Sequence, residues 1–98
     1  MHHILWEYEV RPDRVAEFEA FYGPEGSWAR LFRSAEGYGG TDLFRDVARP
    51  TRFLTVDRWA SPEAFDACLR DRREAYDRLD ADASAFTVAE RRIGAFQA

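Results

Sequence analysis

The stretch YGGTDLFRDVARPTRFLTVDRWASPEAF, residues 38–65, decides how the rest of the chain is read. Residues 38–47 and 52–60 read as two strands. The short segment Ala48-Arg49-Pro50-Thr51 between them has turn chemistry, so the pair predicts a β-hairpin. Ser61-Pro62-Glu63 then starts a helix, with Ser as N-cap, Pro at the first helical position and an acid in the first turn. Phe65, Leu69, Arg72, Tyr76 and Leu79 follow on one face of that helix. Asp66–Arg70 and Glu74–Arg78 are acid-before-base pairs, each contributing about 0.3–0.5 kcal/mol.

Working outward, residues 3–10 (HILWEYEV) place Ile4, Trp6, Tyr8 and Val10 at period two, a strand with one strongly apolar face. Pro12 opens a helix that carries Val15, Phe18, Phe21 and Tyr22. Gly23-Pro24-Glu25-Gly26 interrupts it. Ser27 is then expected to cap a second helix with Trp28, Leu31, Phe32 and Ala35 at i, i+3, i+4 and i+7, and Gly37 to end it. Residues 86–96 predict a fourth strand. The order β–α(α)–β–β–α–β is the α+β, ferredoxin-like arrangement with an antiparallel sheet, in a single domain spanning 1–98.

One face of such a sheet takes the helices and the other meets water. The strands do not match that division. Phe53 and Trp59 point one way while Leu54 and Val56 point the other. Leu5 stands opposite in sense to Trp6, and Ile93 to Val88 and Phe96. Both faces need cover, which two sheets closing face to face would supply, so a homodimer is expected.

A 98-residue chain buries only roughly 60–65% of its unfolded surface, so help from a partner subunit is reasonable on size alone. Its large apolar side chains are mostly rings: 15 aromatics against 13 Val, Ile and Leu together. All 14 basic residues are Arg, and the net charge of −4 argues against a nucleic-acid partner, whose phosphates demand an excess of cations. No apolar run approaches the ~20 residues of a membrane span, and no signal peptide is expected. A single cysteine, Cys68, fits a reducing cytoplasm.

Several motifs resemble the antibiotic biosynthesis monooxygenase family, the small dimeric α/β barrels. They are Trp6-Glu7-Tyr8-Glu9-Val10, Phe18-Glu19 through Tyr22-Gly23-Pro24, and Gly26-Ser27-Trp28-Ala29-Arg30-Leu31-Phe32-Arg33. Gly37-Tyr38-Gly39-Gly40-Thr41, Leu54-Thr55-Val56-Asp57-Arg58-Trp59 and Trp59-x-Ser61-x-x-Ala64-Phe65 complete the set. The resemblance implies a ferredoxin-like protomer, a barrel made by two sheets, and an apolar pocket between sheet and helices. It also implies oxygenation of small phenolic or polyketide-type aromatics without a cofactor. The haem-degrading branch of these barrels uses an Asn on the first strand with a Trp and a His on the second helix. This chain has no Asn, its only histidines are His2 and His3, and its second main helix has no Trp.

Cofactor-free oxygenation needs a site that holds a substrate anion, excludes water and positions rings. Trp6, Tyr8, Trp28, Phe32, Phe53 and Trp59 are the candidate ligand-binding walls, and Trp59 matches the strand-end Trp of the family motif. Asp57 or Glu7 is a candidate base if burial raises its pKa, and Arg58 or Arg45 a candidate neighbour for a phenolate. Taken singly, each of these rings suits a plain core better than a pocket wall, and a strand Arg or Asp is usually a solvated or paired surface group. No metal site is expected, because adjacent His2 and His3 point to opposite faces and only Cys68 could join them. Cys68 reads as a buried, inert thiol. Gly37-Tyr38-Gly39-Gly40 follows a helix and precedes a strand, the reverse of a phosphate loop. A non-catalytic dimeric module that binds a small molecule is the alternative function, and a scaffold that only dimerises is a third.

Overall fold

Alternation along residues 2–10 produces the strand on which the sheet is built. In the computed structural model, which describes residues 1–98, β1 (His2–Val10) leads through a 3-10 turn at Pro12–Arg14 into α1 (Val15–Tyr22) and α2 (Ser27–Phe32). The hairpin of β2 (Tyr38–Arg45) and β3 (Arg52–Trp59) follows, then α3 (Pro62–Asp71), α4 (Arg73–Ala83) and β4 (Thr87–Gln97). The sheet order is β2-β3-β1-β4 with every neighbouring pair antiparallel, the α+β ferredoxin-like fold.

The hairpin turn is organised by one side chain. Asp46 Oδ1 accepts from the backbone N–H groups of Ala48 and Arg49, and Asp46 Oδ2 accepts from Arg52 Nη1. At the helix start the Ser61 hydroxyl accepts from Ala64 N at 3.1 Å, the capping bond expected of Ser-Pro-Glu.

Three local expectations need correction. Ser27 is the first residue of α2, and Gly26 is its N-cap. A Cβ at Gly26 would stand 2.5 Å from Phe21 O and 2.6 Å from Ala20 O, so the chain passes too close to the end of α1 for any side chain. Gly37 does not end α2, which stops at Phe32. It opens β2 at φ +89°, where its carbonyl accepts from Ala60 N at 2.7 Å and a Cβ would meet Ala64. The last long helix is bent at Arg72 (φ −122°, ψ 28°) into α3 and α4. Hydrogen bonds from Arg72 N to Cys68 O and from Tyr76 N to Arg72 O keep the two halves joined. Past the bend, Arg72 Nη2 donates to Ser34 and Tyr76 packs on Trp28 at 4.9 Å.

On the helix side, Ile4, Tyr8, Val10, Phe53, Thr55 and Trp59 are buried beneath Phe18, Tyr22, Trp28, Phe32 and Cys68. The aromatic surplus is spent here: Phe18 stacks on Tyr22 at 4.3 Å, and Trp59 meets Phe32 edge-on at 5.4 Å. On the other side, β1 places Leu5 opposite Val56 and Glu7 opposite Leu54. That face also carries Phe44 and Phe96, each 51% exposed. β4 skips Val88 and Ile93 in its pairing with β1. The second bulge resets the alternation and turns Phe96 to the open face. No helix is long and apolar enough to cross a membrane.

Candidate active site

Between the helix side of the sheet and the helices lies a cavity of about 60 Å³. It has room for roughly four to six water molecules. Trp6 and Tyr8 reach it from β1, Tyr22 from α1, Trp28 and Phe32 from α2, Phe65 from α3 and Tyr76 from α4. Each faces inward because its strand or helix buries that stripe. Thr41, Thr55 and Asp57 add polar groups from the hairpin, and Asp80 and Glu90 add carboxyls from α4 and β4.

Asp57 is the decisive polar residue. It stands opposite Thr41 on β2 and opposite Ile4 on β1, so its side chain projects toward the helices. The Thr41 hydroxyl donates to Asp57 Oδ1 at 2.5 Å, and Tyr38 Oη lies 2.5 Å from Thr41 Oγ1. With the Thr41 proton committed to Asp57, the Tyr38 hydroxyl is the donor to Thr41. Burial pushes the Asp57 carboxyl up to about 6, with the Thr41 hydrogen bond and the Arg58 charge pulling against it. Burial also raises the Tyr8 and Tyr22 phenols, which stay protonated at neutral pH. Burial raises Tyr76 and Glu90 too, and the nearby Asp80 charge adds to both.

The structure brings Trp6, Tyr8, Trp28, Phe32 and Asp57 to one cavity. Phe53 and Trp59 do not line it. Phe53 packs on Phe18 with the Arg45 guanidinium 5.3 Å from its ring centre, and Trp59 lies among Phe32, Tyr38 and Phe65. Arg45 pairs with Glu19 at 2.9 Å. Arg58 neighbours Asp57 in sequence and therefore faces the other side, where it binds Asp42 and the Gly39 carbonyl. Glu7 is on that open face as well. Hydrogen bonds from Arg52 and Arg91 hold its carboxyl below the usual range.

Sequence reasoning missed Tyr22, Thr41, Tyr76, Asp80 and Glu90. Tyr76 and Asp80 were signalled by their i,i+4 spacing on α4, and Thr41 only by its place across from Asp57. No three His, Cys, Asp or Glu side chains gather in a metal-binding arrangement.

The family model for antibiotic biosynthesis monooxygenases matches residues 1–72. The chain belongs to the antibiotic biosynthesis monooxygenase family. Its fold is similar to that of SnoaB, a cofactor-independent oxygenase from Streptomyces nogalater. The TM-score is 0.81 at 18% identity, over 99% of this chain and 91% of SnoaB. It is also similar to a Bordetella bronchiseptica protein described under the same family name, with a TM-score of 0.78 at 23% identity over 99% and 95% of the two chains. A conserved protein from Methanosarcina mazei Go1 matches at a TM-score of 0.74 and 13% identity, over 98% and 90%. No curated protein matches the sequence at a significant level. The cavity above, walled by rings and lined by the carboxyls of Asp57, Asp80 and Glu90, is the candidate active site of this family member.

Proposed function

We propose that the protein is a cofactor-independent monooxygenase acting on a small, electron-rich phenolic substrate, with Asp57 as the general base. The observation that carries this reading is the Asp57 carboxyl in the wall of an aromatic cavity, with burial lifting it to about 6. At neutral pH such a group is ionised yet basic enough to accept a phenolic proton. The phenol O–H breaks, its proton goes to Asp57, and the resulting anion passes one electron to O₂. The aryloxyl radical and superoxide recombine with a new C–O bond at a ring carbon. Asp57 returns its proton to the outer peroxide oxygen. The ring C–H proton is then lost as the O–O bond breaks, hydroxide and that proton leave as water, and a quinone carbonyl remains. One phenol and one O₂ thus become one quinone and one water. The rings exclude water from the charged intermediates and hold the substrate in plane. Thr41, backed by Tyr38, fixes the carboxyl in place.

The test is oxygen uptake with a panel of hydroquinones and anthrols, comparing the protein with Asp57→Asn. Turnover that falls by about 10²–10⁴-fold in the variant supports the assignment of the base. No uptake with any compound rejects the oxygenase reading, and bound but unturned ligand would leave a small-molecule-binding module.

A second copy of the chain is the proposed partner, packed on the open face of the sheet. Leu5, Leu54 and Val56, flanked by half-exposed Phe44 and Phe96, form an apolar centre. Paired charges surround it, Glu7 with Arg52 and Arg91 and Asp42 with Arg58. A second sheet carrying the same pattern would cover that centre.

A further inference from the structure

Resting on the phenolic reading of the same cavity, we infer that its ligand is a one-ring phenol carrying a basic amine on a short arm. The phenol is held at the Asp57 end and the ammonium at the mouth between Asp80 and Glu90.

Size is the first argument. A partly open cavity of about 60 Å³ suits the heavy atoms of one ring. Known small-molecule pockets run about 300–1,000 Å³, so a fused polycycle would require the walls to part. Charge is the second. Of the 13 lining residues none is basic, while Asp57, Asp80 and Glu90 are acids. Arg92 stands opposite Trp6 on β4 but does not line the cavity, and Arg73, beside the Tyr76 ring, is paired with Asp77 at 3.2 Å. A ligand entering as an anion meets uncompensated carboxylates, whereas a cation meets carboxylates and ring faces together. The Glu90 carboxyl is already raised by burial and by Asp80, a repulsion that an ammonium between them would relieve.

Layout is the third. Asp57 stands opposite Ile4 and Glu90 opposite Tyr8, on strands to either side of β1. Their backbones are therefore two strands and four residues apart, roughly 16 Å. One ring with a two-carbon arm, hydrogen-bonded at each end, suits that span.

Three probes share the ring and phenol and differ only at the far end: tyramine, para-ethylphenol and para-hydroxyphenylpropionate. Calorimetric titration of the whole protein at pH 7.5 is expected to give tyramine the tightest binding, about tenfold over ethylphenol, and the propionate the weakest. In Asp80→Asn, Glu90→Gln and the double variant, the tyramine advantage over ethylphenol shrinks and then disappears. The single variants keep the comparison available if the double one does not fold. Propionate binding as well as tyramine, an advantage that survives both substitutions, or no binding by any probe would each overturn the inference. Oxygen uptake is not read here, so this result and the fate of the oxygenase reading are separable.

Discussion

Thr41 and Asp57 face each other across the β2–β3 ladder, and the Thr41 hydroxyl donates to Asp57 Oδ1 at 2.5 Å. This hydrogen bond, with the Arg58 charge as a smaller influence, stabilises the ionised form of a carboxyl that burial opposes. Thr41→Val keeps the shape and removes the donor. The Asp57 pKa is then expected to rise further above about 6, moving the acid limb of the pH–rate profile to higher pH. A carboxyl-carbon NMR titration of Asp57 reads the same shift directly, and an unmoved titration would mean the bond is energetically idle.

Asp57 also makes stability depend on pH, and the sign is fixed. Its folded pKa of about 6 lies above the ordinary value of 3.8, so the folded state holds the proton more tightly than the unfolded chain. The contribution to stability is full below about pH 4 and is lost as the pH rises through about 6. Two units correspond to about 2–3 kcal/mol. Asp57→Asn should therefore unfold at higher denaturant concentration than the wild type at pH 8, and at nearly the same concentration at pH 4. A variant that is less stable at pH 8 contradicts this.

The three tryptophans should separate by role. Trp59 is fully buried and does not line the aromatic cavity, so Trp59→Ala should lower stability by about 3–5 kcal/mol in urea unfolding. Trp6 is only half-buried and lines the cavity. Trp6→Ala should cost less in unfolding, with its main effect on the affinity for tyramine. Equal losses of stability would place both in the same structural role.

Gly26→Ala tests the close passage of the chain over the end of α1. The new Cβ would meet the carbonyls of Ala20 and Phe21, which are backbone and cannot rotate away. A loss of about 1–3 kcal/mol is expected in chemical denaturation, the usual cost of overpacking. A neutral result would show that the Gly23–Gly26 turn can shift.

Leu54→Glu places a charge at the centre of the open face, directly beside Glu7 across the ladder. Sedimentation at micromolar concentration should show a dimer for the wild type and a monomer for this variant. A wild type that sediments only as a monomer removes the proposed partner.

Strands and helices were legible in the sequence because their signals are local. The alternation of Ile4, Trp6, Tyr8 and Val10, the Asp46-to-Arg52 turn region and the Ser61-Pro62-Glu63 cap act over a few residues. The bend at Arg72 was not legible, because the periodicity of Phe65, Leu69 and Tyr76 runs through it unbroken. Gly26 and Gly37 were visible as glycines, yet their roles depend on which backbone passes beside them. Asp57 was visible as a candidate base, but the shift that makes it one depends on distant cover.

By itself the sequence determined the order of elements, the inward face of β1 and the excess of rings over aliphatic side chains. Tertiary structure alone decided which rings became walls and which became filling. Trp6 and Trp59 both point inward and are equivalent by period two. They differ because α2 and α3 close over Trp59 with Phe32 and Phe65, whereas the space above Trp6 stays open toward Glu90. Cover of that kind is set by where helices far along the chain come to rest, and no local pattern encodes it.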